Sequence, residues 1–219
     1  MDYTSLISDM KTYMLRTDPP YLTKIPDLIQ QGIIRVYNNA KDLGFEITLN
    51  INDVQANQAT IDKPGNWRET ISIQMIDAQN NSIFLLPRSL EFSRTYWPNI
   101  NLTARPKYYS DVIANLNNIH LDNTYGSSKW LIAPTSDQVY SFVIIYLGIP
   151  LFNAENSTNF LTQRYPDLLL YSCLIEACLF LDNEEKRNKY EAMFSKELEI
   201  INNINRSRSA DRTIIRENN

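Results

Sequence analysis

The spacing of apolar residues changes twice along this chain, and that change limits the fold more than any other feature. Near the N-terminus, Leu6, Met10, Tyr13 and Met14 share one face of a helix, and the Asp18-Pro19-Pro20 cluster ends the segment. A second segment opens at Ile25-Pro26, with proline suited to a first helical turn. Ile25, Leu28, Ile29, Gly32, Ile33, Val36 and Ala40 then form a core-facing stripe, and Gly44 stands as a stop just past Leu43. From Phe45 the period falls to two. Phe45, Ile47, Leu49 and Ile51 alternate with Glu46, Thr48, Asn50 and Asn52, the pattern of a half-buried strand. Thr70–Met75 repeats it between the turn-like segments Asp62–Asn66 and Ala78–Ser82, and Lys129–Ile132 and Val139–Tyr146 add further strands. A short helix is expected near Leu90–Trp97. From 156 the helical period returns: Tyr165-Pro166-Asp167 opens a segment apolar over most of its circumference, expected to be a central buried helix. Asp182 is placed to cap a last amphipathic helix whose Tyr190, Phe194, Leu198 and Ile201 face inward.

These periods predict an α+β fold. Residues 1–44 and 156–204 form a discontinuous helical bundle, because neither set of helices is thick enough to close a core alone. Residues 45–155 form an inserted antiparallel β-sandwich or barrel-like domain. Residues 205–219 hold Arg206, Arg208, Arg212 and Arg216 against Asp211 and Glu217, with few apolar groups, and are expected to be a flexible tail until they meet a partner.

Several function classes fall away on composition. With 21 Lys+Arg against 25 Asp+Glu, the chain lacks the basic excess that wraps duplex DNA by charge. The longest apolar runs, Ile83–Pro87 and Phe142–Leu147, are far short of the roughly 18 residues of a membrane helix, so no membrane partner is expected. Met1-Asp2-Tyr3-Thr4 has no basic n-region, so export is not expected. No zincin, CxxC, nucleophile-elbow, Walker or dinucleotide-binding pattern occurs, and no cofactor or metal is expected. The one histidine, His120, sits in a polar stretch and reads as a surface residue. Cys173 and Cys178 lie about 140° apart around a helix, too far to bridge each other, and read as small core residues kept reduced. A hydrolase built on Asp53, Asp62 or Glu69 lacks an acid pair in an apolar setting. A non-enzymatic, structural or binding role is what remains.

Two stretches carry a family likeness. One is Ile25-Pro26-Asp27-Leu28-Ile29 with the helix that follows; the other runs from Leu161 through Tyr165-Pro166-Asp167-Leu168-Leu169-Leu170-Tyr171 to Tyr190. With Leu85–Glu91, Pro106–Tyr109 and Ala133–Asp137 between them, the chain resembles the head–tail connector adaptors of tailed bacteriophages, the group that includes tail tubular proteins. The likeness spans about Leu22 to Ile201, and its most specific element is Tyr165–Tyr171. Gly32 departs from it, standing where alanine or another good helix former is expected.

The resemblance implies a virion protein made in the host bacterial cytoplasm and built into the neck. Such adaptors form a ring, usually twelvefold, beneath the portal protein and above a tail or nozzle protein. Their helices pack subunit to subunit, the β insertion faces the tail, and the C-terminal tail reaches the portal. The ring extends the channel through which double-stranded DNA leaves at genome ejection, without sequence-specific contacts, and has no catalytic activity. On that basis Arg206, Arg208, Arg212, Thr213, Ile214, Ile215 and Arg216 are the portal-docking candidates; DNA phosphates and plain solvent are the alternatives for the same arginines. Glu176 and Arg35 each interrupt an apolar stretch, where an unpaired charge is costly. They pair within the bundle or across subunits, or else reach water at its edge. Tyr96-Trp97-Pro98, Tyr108-Tyr109 and Trp130 read as core and interface aromatics. The competing reading is a stacking platform in a carbohydrate-binding β-sandwich module of a phage tail or surface protein, in which sugar would quench Trp97 or Trp130.

Overall fold

A computed structural model describes residues 1–40, 43–77, 79–112 and 128–217, with side chains as far as 203. His120 lies outside the described residues. The chain divides into two compact units, residues 1–44 with 149–219, and residues 45–148.

In the first unit, helix α1 (Tyr3–Met14) starts on a reciprocal cap: Ser5 N–H donates to Asp2 Oδ1, and Asp2 N–H donates to Ser5 Oγ. Leu6, Met10 and Met14 are buried, while Tyr13 of the same expected stripe is exposed. Helix α2 (Pro19–Asn39) begins earlier than the sequence suggested. Pro19 and Pro20 occupy its first turn, where the missing N–H groups would be unpaired anyway, so the cluster that looked like a terminator is a start. Pro26 lies inside the helix and removes one donor from its ladder. The helix ends at Asn39, ahead of the predicted Gly44 stop; Gly44 instead takes φ +108, open to glycine, where the chain leaves the unit.

The short α4 (Phe160–Arg164) and α5 (Pro166–Phe180) follow the second unit in sequence; α3 (Leu90–Tyr96) belongs to that unit. α5 is buried on nearly every side, from Leu168, Leu169 and Leu170 to Ala177 and Cys178, because it packs against α1, α2, α4 and the last helix, α6 (Glu184–Glu217), at once. α6 (Glu184–Glu217) is capped by Asn183, whose Oδ1 accepts from Lys186 N–H. Asp182, the expected cap, sits at φ 51 and reverses the chain out of α5. Tyr190, Phe194 and Ile201 are buried and Leu198 is half-buried. α6 continues to Glu217, where the composition had suggested coil; no glycine or proline interrupts 184–217.

The second unit holds β1 (Glu46–Val54), β2 (Thr60–Asp62), β3 (Trp67–Ile76), β4 (Ser82–Pro87), α3 (Leu90–Tyr96), β5 (Tyr108–Val112), β6 (Lys129–Ala133) and β7 (Tyr140–Gly148). They form one seven-stranded sheet in the order β1-β7-β3-β4-β5-β6-β2. The expected all-antiparallel pairing fails at one junction. β4 and β5 run parallel, with Leu86 opposite Tyr108, because the connection carrying α3 is long enough for a crossover. A two-sheet sandwich is not what forms. Residues of all seven strands, from Val54 of β1 to Ile61 of β2, share one core with Ile73, Met75, Trp130 and Phe142, so the sheet curls on itself until it is nearly closed.

Candidate interaction surfaces

α2 and α5 meet at Gly32. A Cβ at that position would lie 2.7 Å from Cys173 Sγ and 3.0 Å from the Cys173 Cα and N, so the missing side chain is what lets the two backbones approach. One turn further along both helices, Arg35 Nε donates to Glu176 Oε1 at 2.7 Å. The two candidate charges are thus brought together inside one chain, Glu176 the more enclosed at 15% exposure against 29% for Arg35. Beside them opens a recess of about 350 Å³ lined by Gln31, Ile34, Arg35, Asn38, Asn39 and Glu176. Its groups are amides and one ion pair. They can accept and donate hydrogen bonds to a protein surface, and they include no thiol or imidazole to act as a nucleophile.

The motif residues do structural work. Ile25 is buried, and Pro26 lies at an exposed position of α2. Tyr165 ends α4 and precedes α5: its N–H donates to Leu161 O at 2.8 Å, and its carbonyl accepts from Leu169 N–H at 3.1 Å. Pro166 and Asp167 fill the first turn of α5, where a missing donor and a negative charge both suit the helix start. Tyr171 is half-buried on α5. The docking candidates Arg206, Arg208, Arg212, Thr213, Ile214, Ile215 and Arg216 fall on the helical backbone of the last part of α6. Helical backbone there leaves no strand at Thr213–Ile215 of the kind that pairs with a sheet edge. Both cysteines are buried and free, and burial pushes the Cys173 thiol up to about 12. No group of three or more His, Cys, Asp or Glu able to hold a metal occurs among the described residues.

In the β unit, Trp130 is wholly buried and offers no face for a sugar. Its indole N–H donates to Thr70 Oγ1 at 2.8 Å, as Trp67 N–H does at 3.1 Å, and the same hydroxyl donates to Asp111 Oδ1 at 2.7 Å. Lys63 completes this knot, its Nζ 2.6 Å from Asp111 Oδ1 and 3.4 Å from the centre of the Trp67 ring. In sequence Lys63 stands out only as part of the turn-like stretch Asp62–Asn66 that leads into Trp67. Tyr108 packs edge-on against Phe92 and Tyr96 of α3, and Arg88 lies over Phe92 and Tyr108, leaving a partly exposed aromatic cluster. Trp97 is half-buried and tied by its N–H to Leu102 O. Asp53, Asp62 and Glu69 sit on β1, β2 and β3, Asp62 being paired with Lys129 at 3.0 Å.

Over residues 1–216 the chain matches the family described as SU10 adaptor protein. It belongs to that family. SU10 adaptor proteins are phage head–tail adaptors, so the chain is a viral structural component that works through contacts with other virion proteins. None of the curated proteins matches it significantly. No helix among the described residues is long and apolar enough to cross a membrane. The surfaces above are accordingly those of an SU10 adaptor, and the α2–α5 seam, the end of α6 and the β unit are its candidates for partner contact.

Proposed function

We propose that this protein is one subunit of a ring, twelvefold as is usual for such adaptors, seated beneath the portal protein in the virion neck. The ring joins the capsid to a tail or nozzle protein and extends the channel for double-stranded DNA. Membership of the SU10 adaptor family over nearly the whole chain is the observation that carries this reading. A closed ring needs two different, complementary faces on each subunit, since head-to-tail contacts generate rings. The helical unit supplies the ring body, and the β unit is an insertion turned toward the tail. The Arg35–Glu176 pair holds α2 on α5 within the protomer, so that the exposed parts of those helices are free for neighbours. The Arg-rich end of α6 docks on acidic or carbonyl-lined clefts of the portal. An overall charge of -4 disfavours sticking to the phosphates of passing DNA. Electron microscopy of the protein mixed with its portal tests the reading: added density of matching symmetry at the portal's narrow end is expected. Bare portals at saturating concentrations of the adaptor would overturn it.

A further inference from the structure

β1 is the terminal strand of the sheet and pairs with β7 alone among the described residues. Gly148 N–H donates to the Phe45 carbonyl at 3.0 Å, which makes Phe45–Gly148 a hydrogen-bonded pair of the antiparallel ladder. Bonded and non-bonded pairs alternate, so Ile47–Tyr146, Leu49–Ile144 and Ile51–Phe142 are bonded as well. The N–H and C=O groups of Glu46, Thr48 and Asn50 therefore point the other way, toward an edge that no other described strand pairs with.

Natural edges are usually blunted by lysine, proline, shortness or a bulge. β1 has nine residues, with no lysine and no proline, and its irregularity between Ile51 and Val54 lies beyond the regular stretch. Leu49 and Ile51 are only partly buried against the core and Ile47 is half-buried, so the inner face at this edge is incompletely covered.

We propose that this edge receives an extended segment of the tail or nozzle protein toward which the β unit is turned in the proposed ring, apolar at alternate residues, as an eighth strand. A row of backbone donors and acceptors selects an extended chain, and the half-covered row of Ile47, Leu49 and Ile51 selects apolar side chains on one side of it. A second copy of this chain fits less well. The other end of the sheet, β2, offers three residues, and pairing β1 with β1 makes a two-fold contact where a ring needs a head-to-tail one. The inference rests on the adaptor reading for its partner but not on the portal-docking role of α6.

Amide hydrogen exchange on the full chain, free and assembled with its portal and tail proteins, tests it. The Thr48 and Asn50 amides are expected to exchange fast in the free protein and to slow by about tenfold or more on assembly. Thr48→Pro removes an outward donor without touching the β1–β7 ladder, and should keep the circular dichroism spectrum and portal attachment while losing the tail protein. Thr48→Lys, which blunts the edge by charge with no backbone change, should behave alike. Leu49→Pro, whose N–H lies inside the ladder, should disrupt the β unit. Unchanged exchange in rings attached to both proteins overturns the inference and leaves the adaptor reading standing. Protection that appears on self-association alone overturns the proposed occupant, and rings that attach to neither protein overturn both readings.

Discussion

An alanine at position 32 would press its methyl group against the Cys173 sulfur and, at 3.0 Å, against that residue's backbone. In an exposed helix interior, glycine costs about 1 kcal/mol relative to alanine, so the same change would stabilise there. Here the clash outweighs that gain, and Gly32→Ala should lose about 1–3 kcal/mol in urea unfolding, the usual cost of overpacking a core. Adding Cys173→Ala removes the sulfur but not the Cα and N contacts, so recovery should be partial; full recovery would show that the backbones do not limit the approach. The neighbouring ion pair gives a second test. Arg35→Ala and Glu176→Ala should be coupled by about 0.5–3 kcal/mol in a double-mutant cycle. Exchanging the charges should restore ring assembly lost in Glu176→Arg, and no rescue would show that the pair does not support the ring. These two sites differ in how far they can be read from the chain alone. A charge inside an apolar run demands a partner, which made Arg35 and Glu176 visible. Whether a helical glycine is a weakness or a contact depends on what crosses it, and Cys173 lies far away in sequence.

At the scale of elements, long periodic segments were legible and punctuation was not. β1, β3, β6, β7, α3 and α5 stand where period and composition put them, whereas β2, β4 and β5 are too short or too irregular in pattern to announce themselves. Proline was the main source of error, because the same residue stops one helix and starts the next; only the partners of α2 decide between Pro19 and Pro26. The Lys63 knot belongs to this scale, since it ties the turn before β3 to β5 and β6. Burial holds the Lys63 ammonium below the ordinary lysine value of 10.5, with Asp111 opposing part of that shift. A folded-state pKa that is depressed means that, above it, the folded chain has released a proton the unfolded chain keeps until about 10.5. The contribution of Lys63 to stability must therefore rise as pH climbs through that window. Unfolding free energies of wild type and Lys63→Met, compared from neutral pH to about 11, should diverge in favour of wild type. A difference that stays flat would mean that Lys63 is not desolvated. Thr70→Val, which strips two indole N–H groups of their acceptor, should cost about 1–3 kcal/mol for each donor left buried without a partner.

For the whole molecule, the decisive proportion is that of α6 to the helix it packs on. Its 34 residues span about 51 Å, against about 22 Å for the 15 residues of α5. Ile201 is its last buried side chain among those described, and Arg206 to Arg216 follow on the same helical backbone. Composition alone pointed to coil here, because arginine and serine without apolar groups cannot hold a core; a helix already nucleated on α5 needs only the absence of breakers to continue. Deleting residues 205–219 should lower helical ellipticity in proportion to the turns removed while leaving the melting midpoint within about 2 °C, as expected of a segment whose sequence holds few apolar groups. The same deletion should abolish attachment to portals, and a truncated ring that binds with undiminished affinity would end the docking role. It also removes a net charge of +2 from a chain whose total is -4, so loss of charge and loss of helix must be separated. Replacing Arg206, Arg208, Arg212 and Arg216 together by glutamine keeps helix propensity and removes only the charge. If docking is electrostatic, this variant should match the deletion, and wild-type attachment should weaken steadily with added salt. Binding by the glutamine variant that equals wild type at every salt concentration would place the docking energy in Thr213, Ile214 and Ile215 instead.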